Sequence, residues 1–194
     1  GSQRPVSLHR PTGISSAMRR FARSLRILLI AAALLSTSAV TRARDAMDHF
    51  FHPFLGDLQA ELAEAKRAGK KGLMVMYHFE ACPACQWMKA NILSREDVQA
   101  YYRERFVLLP LDTLGALTIT DFAGKEWTEK EFARSVPIRG TPTFIFYGLD
   151  GKPVAKHVGR IESPADFMLL ADFVVTGGYR NMEFARYQIG RAHV

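Results

Sequence analysis

The chain has two cysteines, and they stand three positions apart in Cys82-Pro83-Ala84-Cys85. An apolar run, Leu73 to Phe79, precedes them, and a helical pattern follows. No other feature restricts the fold as much. A disulfide closing so small a loop constrains little of the unfolded chain, so the pair makes a poor structural staple. It is suited to reactivity instead. A thiolate is favoured at a helix start, and thiol–disulfide exchange needs a thiolate. A second fixed point is Gly140-Thr141-Pro142-Thr143-Phe144-Ile145-Phe146, with a proline at the threshold of an apolar strand.

The formal charge of +7 hints at nucleic acid or membrane binding until its distribution is read. Residues 1–43 carry seven of the 26 Lys and Arg and none of the 19 Asp and Glu, so residues 44–194 are balanced. A near-neutral domain argues against nucleic acid as a partner. The first 43 residues have the layout of a secretory signal. Arg19, Arg20, Arg23 and Arg26 form a basic region, Ile27 to Leu35 are continuously apolar, and small residues follow. Cleavage fits after Ala39, Ala43 or Ala46, and Ala43 is the boundary adopted here. The apolar core is shorter than the roughly 20 residues of a spanning helix. An uncleaved anchor stays open if Ser36 to Thr41 are counted. Gly1-Ser2 reads as a cloning remnant. Residues 44–194 then form a single domain, exported to the periplasm or another extracytoplasmic space.

Along that domain, Phe54, Leu55, Leu58, Leu62 and Ala65 recur at helical spacing, before a basic end with Gly69 and Gly72 as breakers. Leu73 to Phe79 and Phe106 to Leu111 read as buried strands, with Pro110 at a strand end or a sheet edge. The helix beginning near Cys85 carries Met88, Ile92 and Leu93, then breaks before Val98, Tyr101 and Tyr102. Residues 113–136 are irregular apart from a capping box at Thr128 and Glu131. Thr143 to Tyr147 and Val154 to Val158 form a hairpin about Asp150-Gly151. A final helix spans Pro164 to Thr176, stopped by Gly177-Gly178, and a short tail helix packs Phe184 and Tyr187 onto the domain. The order predicts an α/β fold with a central mixed β-sheet flanked by helices.

With these elements in order, the chain resembles the thioredoxin superfamily over roughly residues 54–176. Among its exported bacterial members, the Tyr77-His78-Phe79-Glu80 approach to the cysteines and the long connection before Thr141-Pro142 look most like sulfur-oxidation-associated thioredoxins and related small thiol reductases. The resemblance implies that Cys82 is the exposed attacking thiol, Cys85 the buried resolving thiol, and Pro142 a cis-proline facing them. Ala81, Pro83, Ala84, Thr141 and Pro142 would line the substrate groove, with the Thr141 backbone presented to an extended segment. It implies no cofactor beyond a redox-active Cys82–Cys85 disulfide. The implied partners are a disulfide-bearing protein or carrier and a membrane thiol electron donor. No separate dimerisation domain is visible, which implies a monomer.

Two departures from the family pattern stand out. Ala81 replaces the usual tryptophan before the first cysteine, and Met76 replaces a buried acid six residues before it. Glu80 then becomes a candidate proton relay to Cys85, against the plainer reading of a local charge. His78, if protonated, would favour the Cys82 thiolate, against the plainer reading of a histidine fixed at a strand end. Reduction is the leading direction, with a dithiol oxidant or isomerase as the alternative. A copper or other soft-metal chaperone would have to complete a site from Cys82, Cys85, His78 and His49 or His52. Only the cysteine pair has convincing spacing for that, so no metal ligands are assigned. A redox-inactive adaptor using the same groove is the remaining alternative.

Overall fold

Leu73 to His78 is buried at every position, and this run is the inner strand on which the fold is organised. The computed structural model describes residues 44–191, so the leader and its cleavage site lie outside the described residues. In chain order the helices are α1 (Ala46–His49), α2 (Leu58–Arg67), α3 (Pro83–Met88), α4 (Glu96–Arg105), α5 (Glu129–Ser135), α6 (Pro164–Val175) and α7 (Phe184–Arg191). The strands are β1 (Leu73–His78), β2 (Val107–Asp112), β3 (Thr118–Thr120), β4 (Glu126–Thr128), β5 (Thr143–Tyr147) and β6 (Pro153–Val158). Four strands form the main sheet in the order β2-β1-β5-β6. β1 runs parallel to β2 and antiparallel to β5, and β6 returns antiparallel to β5, so the sheet is mixed.

Side chains alternate across the sheet and divide the core in two. Met74 and Met76 of β1, Leu108 of β2, and Phe144 and Phe146 of β5 share one face with both cysteines and the apolar sides of α3, α4 and α6. Leu73, Val75 and Tyr77 take the other face with Ile145, Tyr147, and residues of α2 and α5. With both faces covered, β1 needs a continuous apolar run, and its sequence supplies one. On the cysteine face the rings of Tyr102 and Phe167 stack with centroids 4.4 Å apart, and the Tyr102 hydroxyl donates to the Phe167 carbonyl at 2.5 Å. Each fully buried ring of this size contributes about 1.5–3 kcal/mol relative to exposure.

Pro110 lies within β2 opposite Met76, on an edge strand, as the sequence requires. Two residues earlier, Leu108 turns its backbone to the open edge, where its carbonyl accepts from His52 N at 2.8 Å and its N–H donates to His52 Nδ1 at 3.0 Å. Pro110 has the same parity as Leu108, so its missing N–H falls on the side with no strand to pair. His52 thereby blunts an edge that would otherwise invite a foreign strand.

Three local expectations change. The helix expected from Phe54 starts at Leu58, because Asp57 caps it through Ala60 N and Gly56 holds a left-handed φ of 90°. Leu55 is left 93% exposed. The irregular stretch contains the hairpin of β3 and β4, whose turn is tied by the Asp121 carboxylate to Ala123 N, Lys125 N and Trp127 Nε1. α1, which has no sequence periodicity, is started by Asp45 and followed by buried Phe50 and Phe51. The Thr128–Glu131 capping box, the helix from Pro164 and the tail helix with buried Phe184 stand where the sequence places them. Among the described residues no helix is long and apolar enough to cross a membrane.

Candidate active site

Cys82 is the N-cap residue of α3, with Pro83 in the first turn. Proline fits there because an N–H at that point has no intrahelical acceptor. The cap places Cys82 Sγ 3.1 Å from the backbone N–H of Cys85, which donates to it. Cys82 and Cys85 are joined in a disulfide with Cα atoms 5.2 Å apart. From the opposite side, the loop before β5 brings in Thr141, whose Oγ1 donates to Cys82 Sγ at 3.2 Å and whose carbonyl oxygen lies 3.7 Å from it. The Thr141-Pro142 bond is cis. The loop after β6 packs on α3 as well: Ile161 N donates to Met88 Sδ at 3.3 Å, and the Arg160 guanidinium lies 4.7 Å from the centre of the Trp87 ring.

Thr141 therefore packs against the oxidised pair. Cys85 is 0% exposed, but Cys82 is only 2% exposed, so the attacking thiol implied by the family resemblance is covered in this state. Ala81 and Pro83 on either side of it are exposed, Ala84 and Thr141 are half-buried, and Pro142 is buried. Of the predicted groove residues, the structure places Thr141 in contact with Cys82 Sγ. Replacing Thr141 with valine removes one hydrogen bond to sulfur at nearly constant volume. A bond of this kind to a charged group is worth about 1.5–3 kcal/mol. The Thr141→Val variant is expected to raise the Cys82 pKa by about one unit, equal to about 1.4 kcal/mol. Thiolate absorbance at 240 nm followed against pH checks this, and an unchanged midpoint would remove Thr141 from the redox machinery.

The two candidate modulators behave differently from expectation. His78 ends β1 at 8% exposure, and its Nδ1 lies 3.4 Å from Lys89 Nζ. Burial first, and the Lys89 charge second, push its pKa down to about 4. The imidazole is neutral at neutral pH, so it lends Cys82 no positive charge. Glu80 is exposed, and its backbone carbonyl, rather than its carboxylate, accepts from Gln86 Nε2 of α3 at 2.9 Å. An exposed carboxylate is poorly placed to serve Cys85, which is enclosed in the core. Met76, at the position of the missing acid, shares the sheet face of Cys85.

His52 is engaged at the β2 edge, away from the cysteines. Among the described residues no group of three or more His, Cys, Asp or Glu could hold a metal ion. Lys89, beside His78, is a site residue that the sequence reading misses. Lys89 was detectable, because it follows Cys85 by four residues, the spacing that puts two side chains on one helix face.

A strand that ends beside the capping cysteine of a helix, a second cysteine one turn in, and a cis-proline loop across from them can carry out thiol–disulfide exchange. The thioredoxin-like domain model matches residues 58–174, which includes all four strands of the main sheet and both cysteines. No curated protein matches the chain in sequence. Among solved structures, a thioredoxin-fold protein from Helicobacter pylori superposes with a TM-score of 0.58 at 13% identity, covering 79% of this chain and 98% of that one. A DsbH oxidoreductase superposes with a TM-score of 0.51 at 14% identity, covering 75% and 98%. At such identities the structures speak for the fold, and the domain match extends over more than half of the sequence. The chain belongs to the thioredoxin-like family.

Proposed function

We propose that this thiol–disulfide oxidoreductase works outside the cytoplasm and reduces disulfides on proteins or thiol-bearing carriers. The observation that carries the reading is the Cys82–Cys85 disulfide at the start of α3, faced by Thr141, in a chain without another cysteine. The Cys82 thiolate attacks a substrate disulfide, forms a mixed disulfide and releases one substrate thiolate, which takes up a proton. Cys85 then loses its proton and attacks Cys82 sulfur, freeing the second substrate thiolate. The substrate has gained two electrons, and the enzyme is left with its internal disulfide. A membrane thiol donor returns those electrons. Export is supported by the basic and apolar layout of residues 19–39. Reduction is supported by a neutral His78, whose own ring brings no positive charge to Cys82.

One observation favours the reverse direction. Two hydrogen bonds, from Cys85 N and Thr141 Oγ1, converge on Cys82 Sγ, and both favour the reduced thiolate. The equilibrium reduction potential of residues 44–194 in graded dithiothreitol and glutathione buffers decides the matter. A value near about −270 mV is expected for the reductant, whereas one near about −120 mV would make the protein a disulfide-forming oxidant.

A further inference from the structure

Lys89 sits one helical turn beyond Cys85 on the active-site helix, which continues from α3 through a wider π turn at Lys89–Leu93. Long helical side chains lean back toward the helix N-terminus, which here is the cysteine turn. The ammonium is half-buried and is held at 3.4 Å by His78 Nδ1, at the end of β1 and four residues before Cys82. Among the described residues Lys89 takes part in no salt bridge. Its negative neighbours are Asp45 before α1, Asp112 at the end of β2 and Glu80 in the active-site loop, all acting at a distance. A neutral base thus holds a cation on the redox helix, one turn past Cys85, with no salt-bridge partner among the described residues. A few residues along the same face of β1, the family's acidic position is occupied by apolar Met76.

We propose that Lys89, positioned by His78, supplies the positive charge that stabilises the thiolate of the reduced Cys82–Cys85 pair. The inference rests on the dithiol being redox-active. His78 is the positioning residue and Lys89 carries the charge. An apolar Met76 cannot take the proton that Cys85 must lose during resolution. A cation one turn away eases that loss by stabilising the anion that remains, and the proton ends on the substrate thiolate that the attack releases. The same charge stabilises the reduced form over the neutral disulfide, so Lys89 makes this protein a weaker reductant than the same fold without it.

The test is Lys89→Gln, which keeps an N–H donor for His78 and removes the charge. Wild type and variant are equilibrated with glutathione at pH 8, where His78 is neutral in both, and their thiolates are titrated by absorbance at 240 nm. The expected result is an equilibrium shifted about tenfold toward the disulfide, about 30 mV more negative, with the thiolate transition moved to higher pH. Lys89→Arg restores both values. If Lys89→Gln does not fold, Lys89→Met, with a side chain of similar length and no charge, takes its place. A folded variant within twofold of wild type in the glutathione equilibrium, with an unmoved thiolate transition, overturns the proposal and leaves Lys89 a structural role. Failure of the wild type itself to exchange with glutathione would overturn the oxidoreductase reading, a separate outcome.

Discussion

Cys82→Ser is expected to lose disulfide reduction by roughly three orders of magnitude or more, while Cys85→Ser reacts once and stays covalently joined to its substrate. A serine hydroxyl is un-ionised at neutral pH and cannot form a disulfide, so the first step has no nucleophile. Exposure does not assign the two roles, since both cysteines are nearly closed off in the oxidised state. The family resemblance does, with Cys82 as the attacking thiol. Cys82 lies between exposed Ala81 and Pro83 with half-buried Thr141 against its sulfur, whereas Cys85 is fully buried one turn into the helix. An incoming sulfur meets Cys82 first, at the helix start and beside the exposed residues of the loop. With Cys85 replaced, the chain has no second thiol to resolve the mixed disulfide. Non-reducing electrophoresis and mass spectrometry of the trapped species read the outcome and identify the substrate together. Trapping by Cys82→Ser instead of Cys85→Ser would reverse the assignment.

Much of this site could be read along the chain, for a physical reason. A strand covered on both faces needs an unbroken apolar run, and the runs at Leu73, Phe106 and Thr143 supply the three strands that carry or flank the cysteines. Cys82-Pro83 marks the helix start, because proline is favoured in the first turn. What was hidden depends on distant parts of the chain. β3 and β4 are three residues each, too short for an alternating pattern, and exist because Asp121 ties their turn and Ile119 finds a core. α1 likewise depends on the Arg103 guanidinium, which donates to the carbonyls of His49, Phe50 and Phe51. The charge of His78 could not be assigned from sequence either, since it is set by burial and by a lysine eleven residues ahead. The cover over Cys82 comes from a residue 59 positions away.

Acidification is expected to weaken the fold well before its carboxylates are titrated, because two histidines must stay neutral to do their structural work. His52 accepts from Leu108 N through Nδ1, and His78 accepts from Lys89 by the same atom. Burial, together with Arg103 beside His52 and Lys89 beside His78, holds both at about 4, against 6.5 in the unfolded chain. Between those values the unfolded chain binds protons that the native state refuses. Stability is therefore full above about pH 6.5 and falls as the pH drops toward 4. After allowance for solvent screening, each contributes about 1–2 kcal/mol of loss. His157, pushed down by burial, adds to it in the same direction. Glu129 and Glu61 work the other way: burial raises both carboxyls, so their contributions grow as the pH falls through those raised values. The shifts of His52 and His78 are the large ones, so the net is a loss. Against a typical reserve of about 5–15 kcal/mol, that loss brings the domain appreciably closer to unfolding. Urea unfolding at pH 7, 5.5 and 4.5 measures it. In the His52→Asn, His78→Asn double variant, an amide oxygen can stand in for each Nδ1 acceptor without titrating, so the decline should flatten by about 2–4 kcal/mol. An equally steep decline in that variant would place the acid sensitivity elsewhere in the fold.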